Sequence, residues 1–301
     1  MRDPVAAARD NIKEPPPPGG WIETRLGSSA PPLDPRTHCF LARQGIFDKM
    51  GEIHGYELLF RLGCDNHFTG DSDAATRTMV GNWLLHGFEE LTGGSPSFLN
   101  CTREALVEGL VTLLPSSWTV LEVLETVEPD EEVMNACRRV KQIGYGIALD
   151  DFQFSKKMAR LVELADYIKI DFRLPERERR QTLRQLEGSG AKLVAEKIET
   201  VEELKIAFEE GFELFQGYFF GRPTVFSKRK ATVDSQYYRR RLTVPEMGRI
   251  RWNSFVGCVN ESVRRMSFAV ERVMEPLQLR KETNDLLLRI PKEKSLMAKS
   301  S

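Results

Sequence analysis

No stretch of this 301-residue sequence approaches the run of about 18 apolar residues that a spanning helix needs, so a helical membrane protein is excluded. The first residues, MRDPVAAARDNIKEPPPPGG, lack the apolar core of a secretory signal, and a cytoplasmic location is expected. Cysteine is scarce. Cys39, Cys64, Cys101, Cys137 and Cys258 are odd in number and form no CxxC pair, which argues against a disulfide framework and against a zinc site. The four histidines, His38, His54, His67 and His86, do not fall at the ends of the apolar runs, and each reads as an ordinary core or surface residue. No GxGxxG follows a first strand, so nothing recommends a dinucleotide-binding sheet.

What is present is the composition of a protein with a sizeable core, 41% hydrophobic and 29% charged. A net charge of -1 hides an asymmetry: from Phe226 onward there are 17 Lys and Arg against 8 Asp and Glu, which leaves the rest of the chain acidic. Such a surplus is compatible with carboxylates gathered around a metal, although a solvated acidic surface is its commoner cause. Residues 1–37, with PPPPGG, GSS and PPLDP, read as a disordered leader. Residues 38–225 read as one domain, and 226–301 as a basic helical tail without an assigned role. Phe255, Val259, Val263, Val270 and Met274 lie near helical spacing in that tail, so it is expected to pack on protein, with no DNA, RNA or membrane as partner.

CFLARQGIF and IHGYELLFR, separated by a Gly-containing turn, predict a hairpin. Thereafter short apolar runs, SFLNC, VLEVLE, GIALDD, YIKID, KLVAEK and FQGY, alternate with helical periodicity near 73–91, 103–113, 130–143, 156–165, 175–188 and 200–210. Strand alternating with helix means a parallel sheet with helices outside it. A closed, TIM-like (β/α)8 barrel is the first choice and an open doubly wound sheet the rival.

Barrel enzymes place reactive groups at the C-terminal ends of their strands. Those ends carry Glu57, Asn100, Glu122, the adjacent Asp150 and Asp151, Lys169, Glu196 and Gln216. An Asp pair after Ile147-Ala148-Leu149 could be no more than the start of a helix, and Asn100 could merely cap the helix that follows it. Polar groups at the end of nearly every strand instead suggest one shared partner. Acids and an amide oxygen without Cys or His are hard ligands that point to Mg²⁺ or Mn²⁺, and neighbouring acids can serve two ions of the kind that assist phosphodiester hydrolysis.

The motifs YELLFR, FLNCTRE, LEVLE, ALDDF, YIKID, AEKIE and FQGY, in this order over about residues 38–225, resemble the EAL domain, the cyclic di-GMP phosphodiesterase family. FLARQGIFD, GDSDAA, AEKIET and FQGYFFGRP resemble more narrowly the branch that carries an HDOD domain behind it. The resemblance implies hydrolysis of cyclic di-GMP to the linear dinucleotide with two ions, Mg²⁺ or Mn²⁺. Glu57, Asn100, Glu122 and Asp150 would bind one ion, and Asp150 and Asp151 the second. Lys169 would lie beside the nucleophilic water, with Glu196 in the metal and water shell and Gln216 in support. Arg61 would meet a phosphate of the dinucleotide. A homodimer is compatible with the family. Three features depart from it: the loop DDFQFSKKMAR stands where active members continue DDFG with Gly and Ser, the first motif reads Glu-Leu-Leu without the alanine, a small change beside the glutamate, and the residues after Pro223 do not read as HDOD. The alternative is an inactive cyclic di-GMP sensor or interaction protein.

Overall fold

A computed structural model describes residues 21–23, 38–61 and 89–229. The expected hairpin is formed by β2 (His38–Asp48) and β3 (Ile53–Arg61), with β1 (Ile22–Glu23) before them. Asp48 explains the tightness of its turn. Its Oδ1 accepts hydrogen bonds from the backbone N–H of Met50 and Glu52 at 2.8 and 2.9 Å, and Gly51 takes the positive φ of 76° that completes the reversal.

Six further strands line up in chain order: β4 (Ser97–Cys101), β5 (Thr119–Val123), β6 (Gly146–Leu149), β7 (Tyr167–Asp171), β8 (Lys192–Glu196) and β9 (Leu214–Phe215). β3 to β9 pair in parallel, and β9 returns to β2 through Phe47–Phe215 and Asp48–Leu214, which closes an eight-stranded barrel. The open doubly wound sheet is thereby excluded. β2 runs antiparallel to both of its barrel neighbours. Being 11 residues long, it also pairs over residues 38–43 with β10 (Thr224–Arg229), on which β1 is the outermost strand. Ile22 and Glu23 thus belong to this sheet, with the buried Trp21 just before them, although the sequence assigns all three to the leader; β10 straddles the expected boundary at residue 225. The remainder of the leader and tail, including the amphipathic segment, lies outside the described residues.

The helices cover the outside. They are α1 (Glu89–Thr92), α2 (Arg103–Val107), α3 (Glu131–Gln142), α4 (Ala159–Val162), α5 (Glu176–Leu186) and α6 (Val201–Glu209). α3 starts where the Asp130 carboxylate accepts from Val133 N and buries the stripe Val133, Met134, Ala136, Cys137 and Val140. α6 starts with a reciprocal capping box between Thr200 and Glu203. Two helices are shorter than the periodicity predicts. The 103–113 segment breaks at Gly109, φ 72°, into α2 and a 3-10 turn at Leu110–Leu113, while 156–165 retains only the four residues of α4. Most of the 73–91 segment lies outside the described residues.

Two faces of each strand make two cores. Outward-facing residues such as Leu99, Leu121, Ile147, Ile168, Ile170, Ala195 and Phe215 join the apolar layer with the helices. Inside the barrel, Ile46, Phe98, Val120, Ala148, Val194 and Leu214 form a separate cluster with Tyr167 packed against it. This second cluster is the floor of the site.

Candidate active site

Side chains alternate along a strand with period 2, so the residue two places beyond each floor residue faces the interior one layer higher. On the parallel strands and their ends those residues are Asn100 after Phe98, Glu122 after Val120, Asp150 after Ala148, Lys169 after Tyr167, Glu196 after Val194 and Gln216 after Leu214. β3 contributes Gly55 to the floor, where a Cβ would stand 2.8 Å from the Pro96 carbonyl oxygen and 2.9 Å from the Phe98 ring; Glu57 follows two places later. β2 runs the other way, and its residue in this layer is Gln44, two places before Ile46.

Lys169 stands at the centre. Its Nζ is 2.7 Å from Glu122 Oε1, 2.8 Å from Glu196 Oε1, 3.1 Å from Asp150 Oδ1 and 3.4 Å from Glu57 Oε2. Gln216 Nε2 donates to Glu57 Oε2 at 2.6 Å and to Gln44 Oε1 at 3.1 Å, and Gln44 Nε2 donates to the Gly221 carbonyl. Six of the nine residues singled out from the sequence are therefore joined in one buried network. Asn100 sits beside Glu122 in the β4–β5 register. It is not the cap of α2: Thr102 is, accepting from Ala105 N, so that alternative falls.

Asp151 goes elsewhere. Its φ of 41° turns it to Lys197, whose Nζ lies 2.6 Å from Asp151 Oδ1 and 2.7 Å from Asp171 Oδ2. Lys197 itself has φ 60°, a left-handed conformation uncommon for a residue with a side chain. Asp171 is held by Lys197 and by Arg173, the latter through both its backbone N–H and its guanidinium. Arg61 ends β3 four residues beyond Glu57, paired in register with Phe40; its side chain is outside the described residues. Gln44 and Lys197 are the participants that the sequence reading missed. Gln44 was hidden because the strand-end rule points to the wrong end of an antiparallel strand. Lys197 was passed over as the residue after an acid, although a charged residue between Glu196 and Ile198 was its signal.

Burial sets the electrostatics. It pushes the Glu122 carboxyl well above its ordinary range, with Lys169 opposing and Glu57 and Asp150 adding to the rise. Burial also pushes Glu196 up, to about 8. For Lys169 burial pulls the other way, but Asp150, Glu122, Glu196 and Glu57 outweigh it, and the ammonium is held well above its ordinary value.

The residues fit a hard divalent cation by the chemistry of their spare atoms. Asn100 Oδ1, both Glu122 oxygens, Glu196 Oε2 and Gln216 Oε1 are buried without a hydrogen-bond donor, Glu122 Oε1 meeting Lys169 only as an ion pair. All are oxygen acceptors, the donor set of Mg²⁺ or Mn²⁺. Among the described residues no three acidic, His or Cys side chains form a ready cage, because the Lys169 ammonium stands between the carboxylates.

Residues 92–223 match the EAL domain family. Glu57 and Arg61 precede the matched span. The cyclic di-GMP phosphodiesterase CdgJ of Vibrio cholerae is 34% identical over 221 residues, 70% of this chain and 51% of that protein. The uncharacterized protein YuxH of Bacillus subtilis is 38% identical over 196 residues, 62% of this chain and 48% of YuxH. The chain thus spans about half the length of these curated relatives. Two structures of Klebsiella pneumoniae BlrP1, in calcium and manganese complexes with cyclic di-GMP, share the fold at a TM-score of 0.53. They are 22% and 21% identical, covering 75% and 73% of this chain and 66% and 65% of BlrP1.

Proposed function

Because the chain carries an EAL domain, matched over residues 92–223, we propose that it hydrolyses cyclic di-GMP to the linear dinucleotide with the help of divalent metal. One observation supports this above the others: four carboxylates from four strands converge on Lys169 with unsatisfied oxygens beside them, an arrangement that costs stability unless it is used. Glu57, Asn100, Glu122 and Asp150 would hold one Mg²⁺ or Mn²⁺, and Asp150 with Asp151 a second. A bound ion would supply a water of lowered pKa and neutralise charge on the phosphate.

The chain's own residues do the rest. Lys169, fixed by its carboxylates, keeps a positive charge against a phosphate oxygen without reorganising. Glu196, with a pKa of about 8 before metal binds, can exchange a proton in the neutral range and belongs beside the attacking water. Gln216 fixes the orientation of Glu57 by its 2.6 Å hydrogen bond. Arg61 would pair with a phosphate of the dinucleotide.

A second reading, cyclic di-GMP binding without turnover, is favoured by the engagement of Asp151 with Lys197. Purified protein incubated with cyclic di-GMP and Mg²⁺ or Mn²⁺ separates the two. Linear dinucleotide as product, lost by about 100-fold or more in Asp150→Asn, supports the enzyme, since the shared ligand loses its negative charge and one of its two oxygens. Binding without product supports the sensor, and neither would refute both. Arg61→Ala should weaken binding by at least about tenfold if its fork meets phosphate.

A further inference from the structure

We infer that the Lys197 ammonium is a built-in competitor for the second divalent ion, occupying the Asp151 side of the site so that this ion binds only by displacing it. The inference rests on the metal-dependent reading above.

Charge balance separates the two sides. Around Lys169, four carboxylates face one ammonium, and buried oxygens remain without donors. That side is short of positive charge. Among the direct ion pairs around Asp151 the balance is even: Asp151 and Asp171 face Lys197 and Arg173, and Lys197 Nζ sits between the two carboxylates at 2.6 and 2.7 Å, with Glu199 acting on Arg173 only at longer range. A divalent ion entering the first side relieves repulsion, whereas one approaching Asp151 meets an ammonium already in place.

The backbone shows that this seat is built in. Lys197 and Asp151 both adopt left-handed φ, 60° and 41°, in the turns that leave β8 and β6, and these turns bring the two side chains together. Lys197 is anchored on both flanks, since Ile198 N–H donates to the Gln216 carbonyl and Glu196 is fixed by Lys169. The lysine next to the acid that meets Lys169 thus reaches the second Asp of the Asp-Asp pair. Its effect would be to make the ions bind in order, the second weakly, so that full occupancy depends on metal concentration.

Mn²⁺ titration by calorimetry and electron paramagnetic resonance tests this without turnover, comparing the parent, Lys197→Met and Lys197→Arg. The expected parent binds one Mn²⁺ tightly and a second more weakly. Lys197→Met, with similar reach and no charge, should tighten the second site by about tenfold, the scale of losing a partly exposed ion pair. Lys197→Arg should behave as the parent. Should Lys197→Met lose its melting transition, Lys197→Gly, which suits φ 60°, serves the same comparison. Identical isotherms for parent and uncharged variant, or equal tightening by Lys197→Arg, would overturn the competitor role while leaving the metal site intact. Absence of Mn²⁺ binding in every protein would instead overturn the metal-dependent reading, and this inference with it.

Discussion

Lys169 is 1% exposed and carries the only ammonium within reach of Glu57, Glu122, Asp150 and Glu196 among the described contacts. Replacing it with Met leaves four acids, three of them buried, to repel one another. The metal-free protein should lose about 3–5 kcal/mol, part of it recovered as the acids take up protons. Thermal melts with and without Mg²⁺ check this, the metal restoring more stability to Lys169→Met than to the parent. Asp171 offers a test by pH. Burial would raise its carboxyl, but hydrogen bonds from Arg173 and Lys197 outweigh that and hold it at about 2, below its ordinary 3.8. A carboxyl with a depressed folded pKa stabilises the fold above the unfolded value and loses that contribution as pH falls through the folded one. Because Arg173 is largely exposed and solvent screens the pair, Asp171→Asn should cost about 1 kcal/mol at neutral pH. The gap between variant and parent should close between pH 3.8 and about 2 in denaturant titrations.

At the scale of elements, the turn after β9 controls Gln216. Gly217 has φ 154°, and a Cβ there would stand 2.1 Å from the Ile198 carbonyl oxygen, a backbone atom that cannot yield cheaply. Gly217→Ala should cost about 3 kcal/mol or more and displace Gln216 from Glu57, seen as a lowered melting temperature together with weaker Mn²⁺ binding. The strands and their polar ends were legible in the sequence because alternation and short apolar runs are local signals: β7 is the YIKID that was read, and α3 differs from its reading by one residue at each end. The short α4 was not legible, because apolar spacing around Leu161 and Val162 persists where the backbone hydrogen bonds do not. Nor was the destination of Asp151. A φ of 41° is a property of one residue and its neighbours in space, and Lys197 is 46 residues away. Gln44 required knowing that β2 is antiparallel, which only barrel closure reveals.

For the whole molecule, closure itself rests on little. β9 has two residues and meets β2 through two register pairs. Aromatic packing reinforces the seam: Phe47 stacks on Phe220 with centroids 4.8 Å apart, and Phe215 lies beside the same ring. Phe47→Ala should cost about 3–5 kcal/mol, the usual range for emptying a buried aromatic site. Amide hydrogen exchange should locate the loss at β9 and β2, and protection unchanged there would show that the helices, not the seam, hold the barrel shut. The antiparallel course of β2 has one more effect. Since β10 pairs with it from Thr224–Arg43 to Arg229–His38, the chain both enters at His38 and departs at Arg229 on the rim above Glu57 and Lys169. The ribbon of β1, β10 and β2 stands past Gln44 by six residues, roughly 20 Å at strand rise. A reporter dye placed at His38 or Arg229 would thus sit on the same rim, where it would sense what enters above Glu57 and Lys169.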